Sequence, residues 1–282
     1  MKTLIYALAI IIATQTINAQ FGGGNGTEAE PYQIKTRQHL ELLADSVNTG
    51  NNWSSGKHFI LMNNITEPVT TIIGFVSNGT FQGNFDGQNY TINLAIDMPE
   101  SDYVGLFGLI HIATIKNIIV NGYGSISGQG HSSVGGIVGF LANTSISNCI
   151  NNGSISGNEH IGGIVGLLAN TSISNCINNG SISGNAYIGG IAGTGLNSSI
   201  SNCINIGNIT GKGHVGGIHG CGGADGSTIN NCVNYGFVKG IDTGVGGING
   251  HYYKSIRNSI NTGVVEGENA RITGPIQGDP DQ

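Results

Sequence analysis

The sequence predicts an all-β chain, a right-handed parallel β-helix (β-solenoid) with one short capping helix at its N-terminal end. Three observations carry this. One stretch recurs: His160-Ile-Gly-Gly-Ile-Val-Gly166, Thr171-Ser-Ile-Ser-Asn-Cys-Ile-Asn-Asn-Gly180 and Ser181-Ile-Ser-Gly184 form one of five copies between Gly130 and Gly267. The period is fixed: Gly136, Gly163, Gly190 and Gly217 stand 27 residues apart, and Gly247 follows after 30 because Cys221-Gly-Gly-Ala-Asp225 lengthens one loop, which is the signature of a solenoid. Aliphatic residues hold constant slots, Ile146, Ile173, Ile200, Ile229 and Ile256 in one column and Ile155, Ile182, Ile209, Val238 and Val265 in another. These short β-branched runs, broken by Asn-Gly and Ser-Gly, read as strands and turns.

A repeat of 27 residues, at roughly 3.3 Å of rise per residue less the corners, makes one turn of a three-sided coil. Stacked coils then pair in parallel at about 4.8 Å, so each sequence column becomes a ladder. One coil buries too little apolar surface to offset the ordering of its backbone, and the repeats must fold as a stack.

Gly136-Ile-Val-Gly139, Gly163-Ile-Val-Gly166 and Gly190-Ile-Ala-Gly193, each followed by Ile-Ser-Asn-Cys, resemble the GLUG motif. Gly105-Leu-Phe-Gly108 with Ile115-Lys-Asn-Ile118 resembles an earlier, first rung, and the likeness extends over about residues 23 to 277. The resemblance implies a right-handed β-helix of the kind found in bacterial surface proteins, including adhesins and the non-catalytic parts of streptococcal IgA-specific metallopeptidases. It speaks to architecture more than to activity.

In chain order, residues 1–19 read as a secretory signal peptide, with Lys2 as the positive end, Leu4 to Ala13 as the apolar run and Ile17-Asn-Ala19 as the cleavage site. No Cys follows the cut, so no lipid anchor is expected, and no later apolar run approaches membrane length. Residues 20–103 form a lead-in, the capping helix and the first coils. Within them Thr36 to Val47 is helical, with Thr36 as N-cap and Leu40, Leu43, Ala44 and Val47 on one face. Irregular strands are expected at His58 to Met62, Thr71 to Val76, Phe81 to Phe85 and Tyr90 to Ile96, with a tight turn at Asp86-Gly87. Residues 104–277 carry the repeat coils of the same β-helix. Ile272-Thr-Gly-Pro-Ile-Gln277 opens one more coil with Pro275 in the slot of Ile248, which blocks further pairing, and residues 278–282 are a tail.

Composition narrows the function. Gly is 49 of 282 residues and charged residues are 9%, so Asn, Ser and Thr must carry the surface. Between Tyr103 and Gly211 only Lys116 and Glu159 are charged. A nearly neutral face argues against nucleic acid, which needs clustered Lys and Arg, and against an acidic membrane. No membrane insertion is expected after signal cleavage, and a monomer is expected.

Among residues that could carry chemistry, Cys149, Cys176, Cys203 and Cys232 share a column that Ile118 opens and Ser259 continues, so the slot reads as inward and the thiols as free and packed. A line of single Cys suits no tetrahedral zinc site. One Asn column (Asn117, Asn148, Asn175, Asn202, Asn231, Asn258) and a second (Asn151, Asn178, Asn205, Asn234, Asn261) suit left-handed corners and amide stacking. His214, His219 and Cys221 form a metal-like trio in sequence, but His219 stands where Val165 and Ala192 stand in other coils and reads as a surface residue. Asp86 reads as a turn residue, and no His-Glu-x-x-His sequence occurs. No catalytic, cofactor or metal residues are assigned.

The favoured reading is a non-catalytic secreted or cell-surface β-helix protein, adhesin-like, with a binding or structural role, periplasmic residence being a variant of the same export. Its expected partners are a glycan or a host or surface protein. The alternative is a polysaccharide-active lyase or hydrolase on the same scaffold, which needs paired carboxylates; Glu266 and Glu268 are the nearest such pair. The residues before each Gly-Gly segment (Ser133, His160, Tyr187, His214 and Gly244) read as outward, and His160, Tyr187 and His214 as one exposed ring stack, either a device that holds register or a ligand-contact stripe.

Overall fold

A computed structural model describes residues 21–75, 79–98, 101–122, 126–128, 133–222, 227–251 and 255–267. The expected signal peptide, Glu268, Pro275 and the tail lie outside the described residues. The chain is an all-β parallel solenoid of about eight turns with, among the described residues, a single short helix. The central coils cross the same five sheets in the same order, and the strand pairings among the described residues are all parallel. The sheets have nine, eight, six, six and five strands. Where a three-sided coil was expected, five short ladders form, because each side is broken by a corner or a bend before a long strand can develop.

The corners explain how a 27-residue sentence closes on itself. In each central coil three non-Gly residues take the left-handed backbone: Asn143, Asn148 and His160; Asn170, Asn175 and Tyr187; Asn197, Asn202 and His214, all with φ between 49° and 59°. L-residues pay to adopt this region, and Asn pays least because its short amide bonds the local backbone. The column from Asn117 to Asn258 is therefore a corner column, as its composition predicts. The same turn recurs, so the register never slips: Ile115, Ile146, Ile173, Ile200, Ile229 and Ile256 are successive Cα partners.

That ladder extends upstream through Phe85, Phe59 and Tyr32. The first coils are thus filled with aromatic rings: Phe59 meets Phe81 at 5.7 Å, and Phe107 meets Phe81 at 4.9 Å and Phe85 at 5.4 Å. Above them the helix α1 (Arg37–Asn48) buries Leu40, Leu43, Ala44 and Val47, the face the sequence marks. The Thr36 hydroxyl caps it by accepting from the His39 N–H. At its far end the Asn48 side chain donates to the Ile72 carbonyl and accepts from the Gly74 and Phe75 N–H groups. Among the expected strands, His58–Leu61 and Thr91–Leu94 form within the predicted spans. Asn84–Asp86 replaces Phe81 to Phe85, and among described residues Thr71 to Phe75 holds only a bridge from Ile73 to Phe107, because Gly74 turns at φ 78°. Tyr32–Ile34 and Ile65–Val69 are strands that pattern alone did not mark.

Two polar columns run through the interior. Asn151, Asn178, Asn205 and Asn234 are fully buried. Each amide donates to the next Asn carbonyl, at 2.7 to 2.8 Å, and to the backbone carbonyl two residues on, at 2.8 to 2.9 Å. The sequence expects amide stacking here, and full satisfaction is what lets an amide lie in a core. Beside it, Cys149, Cys176, Cys203 and Cys232 are buried and free, and Ser259 continues their line by accepting from the Cys232 N–H at 3.1 Å. Each Cys Sγ–H points at the carbonyl two residues back, at 3.2 to 3.3 Å. Burial pushes the Cys176 thiol well above the ordinary range.

His219 corrects the sequence reading. Its slot is that of Val165 and Ala192, as expected, but that slot faces the core and His219 is buried rather than at the surface. Burial drives its pKa down to about 4, against a smaller upward pull from its 3.1 Å bond to the Asn249 side chain.

Four outcomes are expected from these columns. Asn178→Asp should cost about 3 kcal/mol in denaturant titrations, since it removes a satisfied buried donor and adds charge. Asn152→Asp, in the exposed row beside it, should change stability by under about 0.5 kcal/mol. Thiol titration in denaturant without reductant should count five thiols, while the native protein exposes only the half-buried Cys221 to reagent. Between its ordinary value of 6.5 and about 4, His219 holds a proton in the unfolded chain but not in the native one. Stability is therefore lost as pH falls through that window. His219→Val, which copies the coil at Val165, should gain about 3 kcal/mol over the native chain between pH 7 and pH 4.

Candidate functional site

The residues before the Gly-Gly segments form one column, as the sequence predicts, but not a uniform one. His160, Tyr187 and His214 stack with ring centroids 5.0 and 5.2 Å apart and planes within 7° and 6° of parallel. All three are half-buried, and all three hold the left-handed backbone that Asn holds at the other corners. A bulky ring is a costly choice there. The coil-to-coil spacing matches the ring spacing, so stacking recovers part of that cost. His251 closes the row edge-on, 4.6 Å from His214, and burial followed by the His251 charge holds the His214 pKa below its ordinary value.

The geometry changes what this row offers. Ring planes lie across the solenoid axis, so their faces cover one another and only their edges meet solvent. His160 Nδ1 already bonds the Thr194 hydroxyl at 2.8 Å and His214 Nδ1 is buried, so the polar edge is the Tyr187 hydroxyl and the two Nε2 atoms. The row can therefore give hydrogen bonds but no open stacking platform. Ser133 holds its place in the column but offers no exposed surface. It is buried, with Tyr103 as its Cα partner, and Gly244 contributes only its backbone at φ 79°. Tyr103 instead stacks on Phe140, 5.5 Å away and tilted by 26°. Its position one residue before Val104 is the signal that places it in the same column.

The metal-like trio separates in the fold. His214 lies in the ring row, His219 in the core and Cys221 in the outward column of Phe140, Leu167 and Thr194. Among the described residues no three His, Cys, Asp or Glu side chains are grouped to hold a metal ion.

A cavity of about 340 Å³ lies against the nine-stranded sheet at the N-terminal end. Its floor is the outward side of the first coils, His58, Ile60, Asn84, Asp86, Thr114 and Lys116, and the lead-in segment closes one side with Glu28 and Pro31. Lys116 Nζ sits 3.2 Å from Asp86 Oδ2. Burial raises the Asp86 pKa, but bonds from the Asn117 amide and the Gln88 N–H, with the Lys116 ammonium, outweigh it and hold the carboxyl below its ordinary value. The turn role read for Asp86 is present in the bond to Gln88; the cavity beside it was not legible from spacing. Elsewhere the same sheet presents Ser145 and Ser147, Ser172 and Ser174, Ser199 and Ser201, a flat neutral face. Glu266 pairs with Lys239 at 3.3 Å on an exposed coil.

Among the described residues no helix is long and apolar enough to cross a membrane. Residues 157–183 match the GLUG motif. A protein of Evansella cellulosilytica, provisionally named a Gly-rich membrane protein, is 31% identical over 129 residues, which are 42% of this chain and 14% of that protein. Halomucin of Haloquadratum walsbyi is 29% identical over 140 residues, 43% of this chain and 1% of halomucin. The matched stretch is thus a small fraction of either relative. The crystal structure of a Bacteroides ovatus protein, provisionally described as an immunoglobulin A1 protease, superposes with a TM-score of 0.76 over 92% of this chain and 85% of that one, at 25% identity. The repeat, the ladders and these likenesses agree on one architecture: the chain is a parallel β-helix that carries a GLUG motif at residues 157–183.

Proposed function

We propose that this chain is exported and works at or beyond the cell surface as a non-catalytic, adhesin-like β-solenoid that holds a glycan or a surface protein along its lateral face. The observation that carries this is the shape of its chemistry. The long faces repeat neutral amides and hydroxyls at the coil spacing, as in Ser172, Ser174, Asn179 and the ring row. Such a surface suits a repetitive or extended partner better than a single small substrate. Relatives named as a membrane protein and as halomucin support a surface setting. The polysaccharide-active alternative asks for one carboxyl kept protonated beside one ionised. Asp86 is held ionised by its neighbours and Glu266 is paired with Lys239, so neither is placed as a general acid.

The ring row is the proposed contact, through its edges. His160→Asn with Tyr187→Asn keeps a residue suited to the left-handed backbone and removes both rings. On glycan arrays and on immobilised surface proteins, the wild type should be retained and the double variant at least tenfold weaker, with its β circular dichroism intact. Equal retention of a folded variant would make the row purely structural.

A further inference from the structure

The N-terminal cavity is where the chain departs from its own economy of charge. Charged residues are 9% of the sequence, and from Tyr103 to Gly211 only Lys116 and Glu159 carry charge. One of those two, Lys116, lies in this cavity together with Asp86, Glu28 and His58. The repeat does not require any of them. Lys116 and Thr114 pair in register with Ser147 and Ser145 of the next coil, and His58 pairs with Asn84. The same sheet positions that are Ser farther along the solenoid are here charged or polar groups of both hydrogen-bonding senses, beneath a wall that the repeat coils lack.

We infer that this cavity is a binding site for one neutral sugar residue of a glycan. Glu28 and Asp86 present carboxylate acceptors, Lys116 and the Asn84 amide present donors, and Ile60 and Pro31 supply an apolar strip. A pyranose ring needs this mixture: paired acceptors and donors for vicinal hydroxyls, and an apolar surface for its C–H face. Bonds to ionised partners are the stronger kind and give orientation. Asp86 and Lys116 compensate each other at 3.2 Å, which leaves Glu28 in excess, two carboxylates against one ammonium. The lining therefore opposes anionic sugars. The volume of about 340 Å³ accepts one or two rings and no folded partner. The site lies on the nine-stranded sheet, apart from the ring row. It rests on the surface-binding reading only for the source of the glycan.

The test is calorimetric and NMR titration of the full chain without its expected signal peptide. The probes are galactose, glucose, mannose, N-acetylglucosamine and glucuronic acid. Saturable binding of at least one neutral probe is expected, with glucuronic acid at least tenfold weaker. Lys116→Ser and His58→Asn each copy the ladder neighbour and so preserve the coil, and each should weaken binding about tenfold. The ring-row double variant should bind the same sugar unchanged. Saturable binding by none of the probes, tighter binding of glucuronic acid, or full affinity in folded Lys116→Ser overturns the inference. Loss of sugar binding in the ring-row variant alone would also overturn it, moving the sugar to that row and leaving the surface-binding reading in place.

Discussion

The structure depends on an in-register parallel hydrogen-bond ladder between coils. Each backbone group of a strand is satisfied by the coil above or below, so a coil must return to the same point after each circuit. That requirement makes corner geometry decisive. A left-handed residue at a fixed offset turns the chain identically each time, and Asn is the L-residue that does so most cheaply. The longer spacing before Gly247 is tolerated because the three extra residues fall between strands, two of them between His219–Gly222 and Thr228–Asn230 and one between Val238–Gly240 and Val245–Gly246, and each following strand resumes in register. Insertions belong to loops in such a stack; a one-residue shift inside a strand would turn every following inward side chain out.

The interior follows from the same repetition. A column of identical residues must satisfy itself or be apolar. The Ile and Val columns take the second route. The buried Asn column takes the first, with each amide spending its protons on the next coil and on its own turn. Such a ladder is stabilising only while every member is present, which makes it a device for register as much as for stability. The Cys column is intermediate: small, apolar enough to pack, and with one weak donor that finds a carbonyl. His219 interrupts a column of aliphatic residues and is kept neutral by its burial.

Repetition also governs the outer surface. Where the period is strict, the surface is a lattice of Ser, Asn and stacked rings with little charge. At the N-terminal end the coils are irregular, the core is aromatic, and the lead-in folds back over the sheet. An irregular end can hold a concave, mixed-charge site that a regular face cannot. The GLUG match, at residues 157–183, bears on the lattice rather than on this end.

The sequence by itself determined the solenoid, its parallel columns, the inward Ile and Cys slots, the stacking of the Asn columns, the helix and its buried face, and the alignment of His160, Tyr187 and His214. These follow from period and local propensity, which are written in consecutive residues. The tertiary structure decided what depends on direction and closure. It split three expected sides into five ladders, because the strands between corners are short. It covered Ser133 and turned His219 inward, since a position within a repeat does not reveal how its neighbours close over it. It set the ring faces against one another, because left-handed corners orient the side chains along the stack. It brought Glu28 to Asp86 and Lys116, residues from different coils whose proximity no spacing encodes, because only the folded lead-in carries the one over the other two.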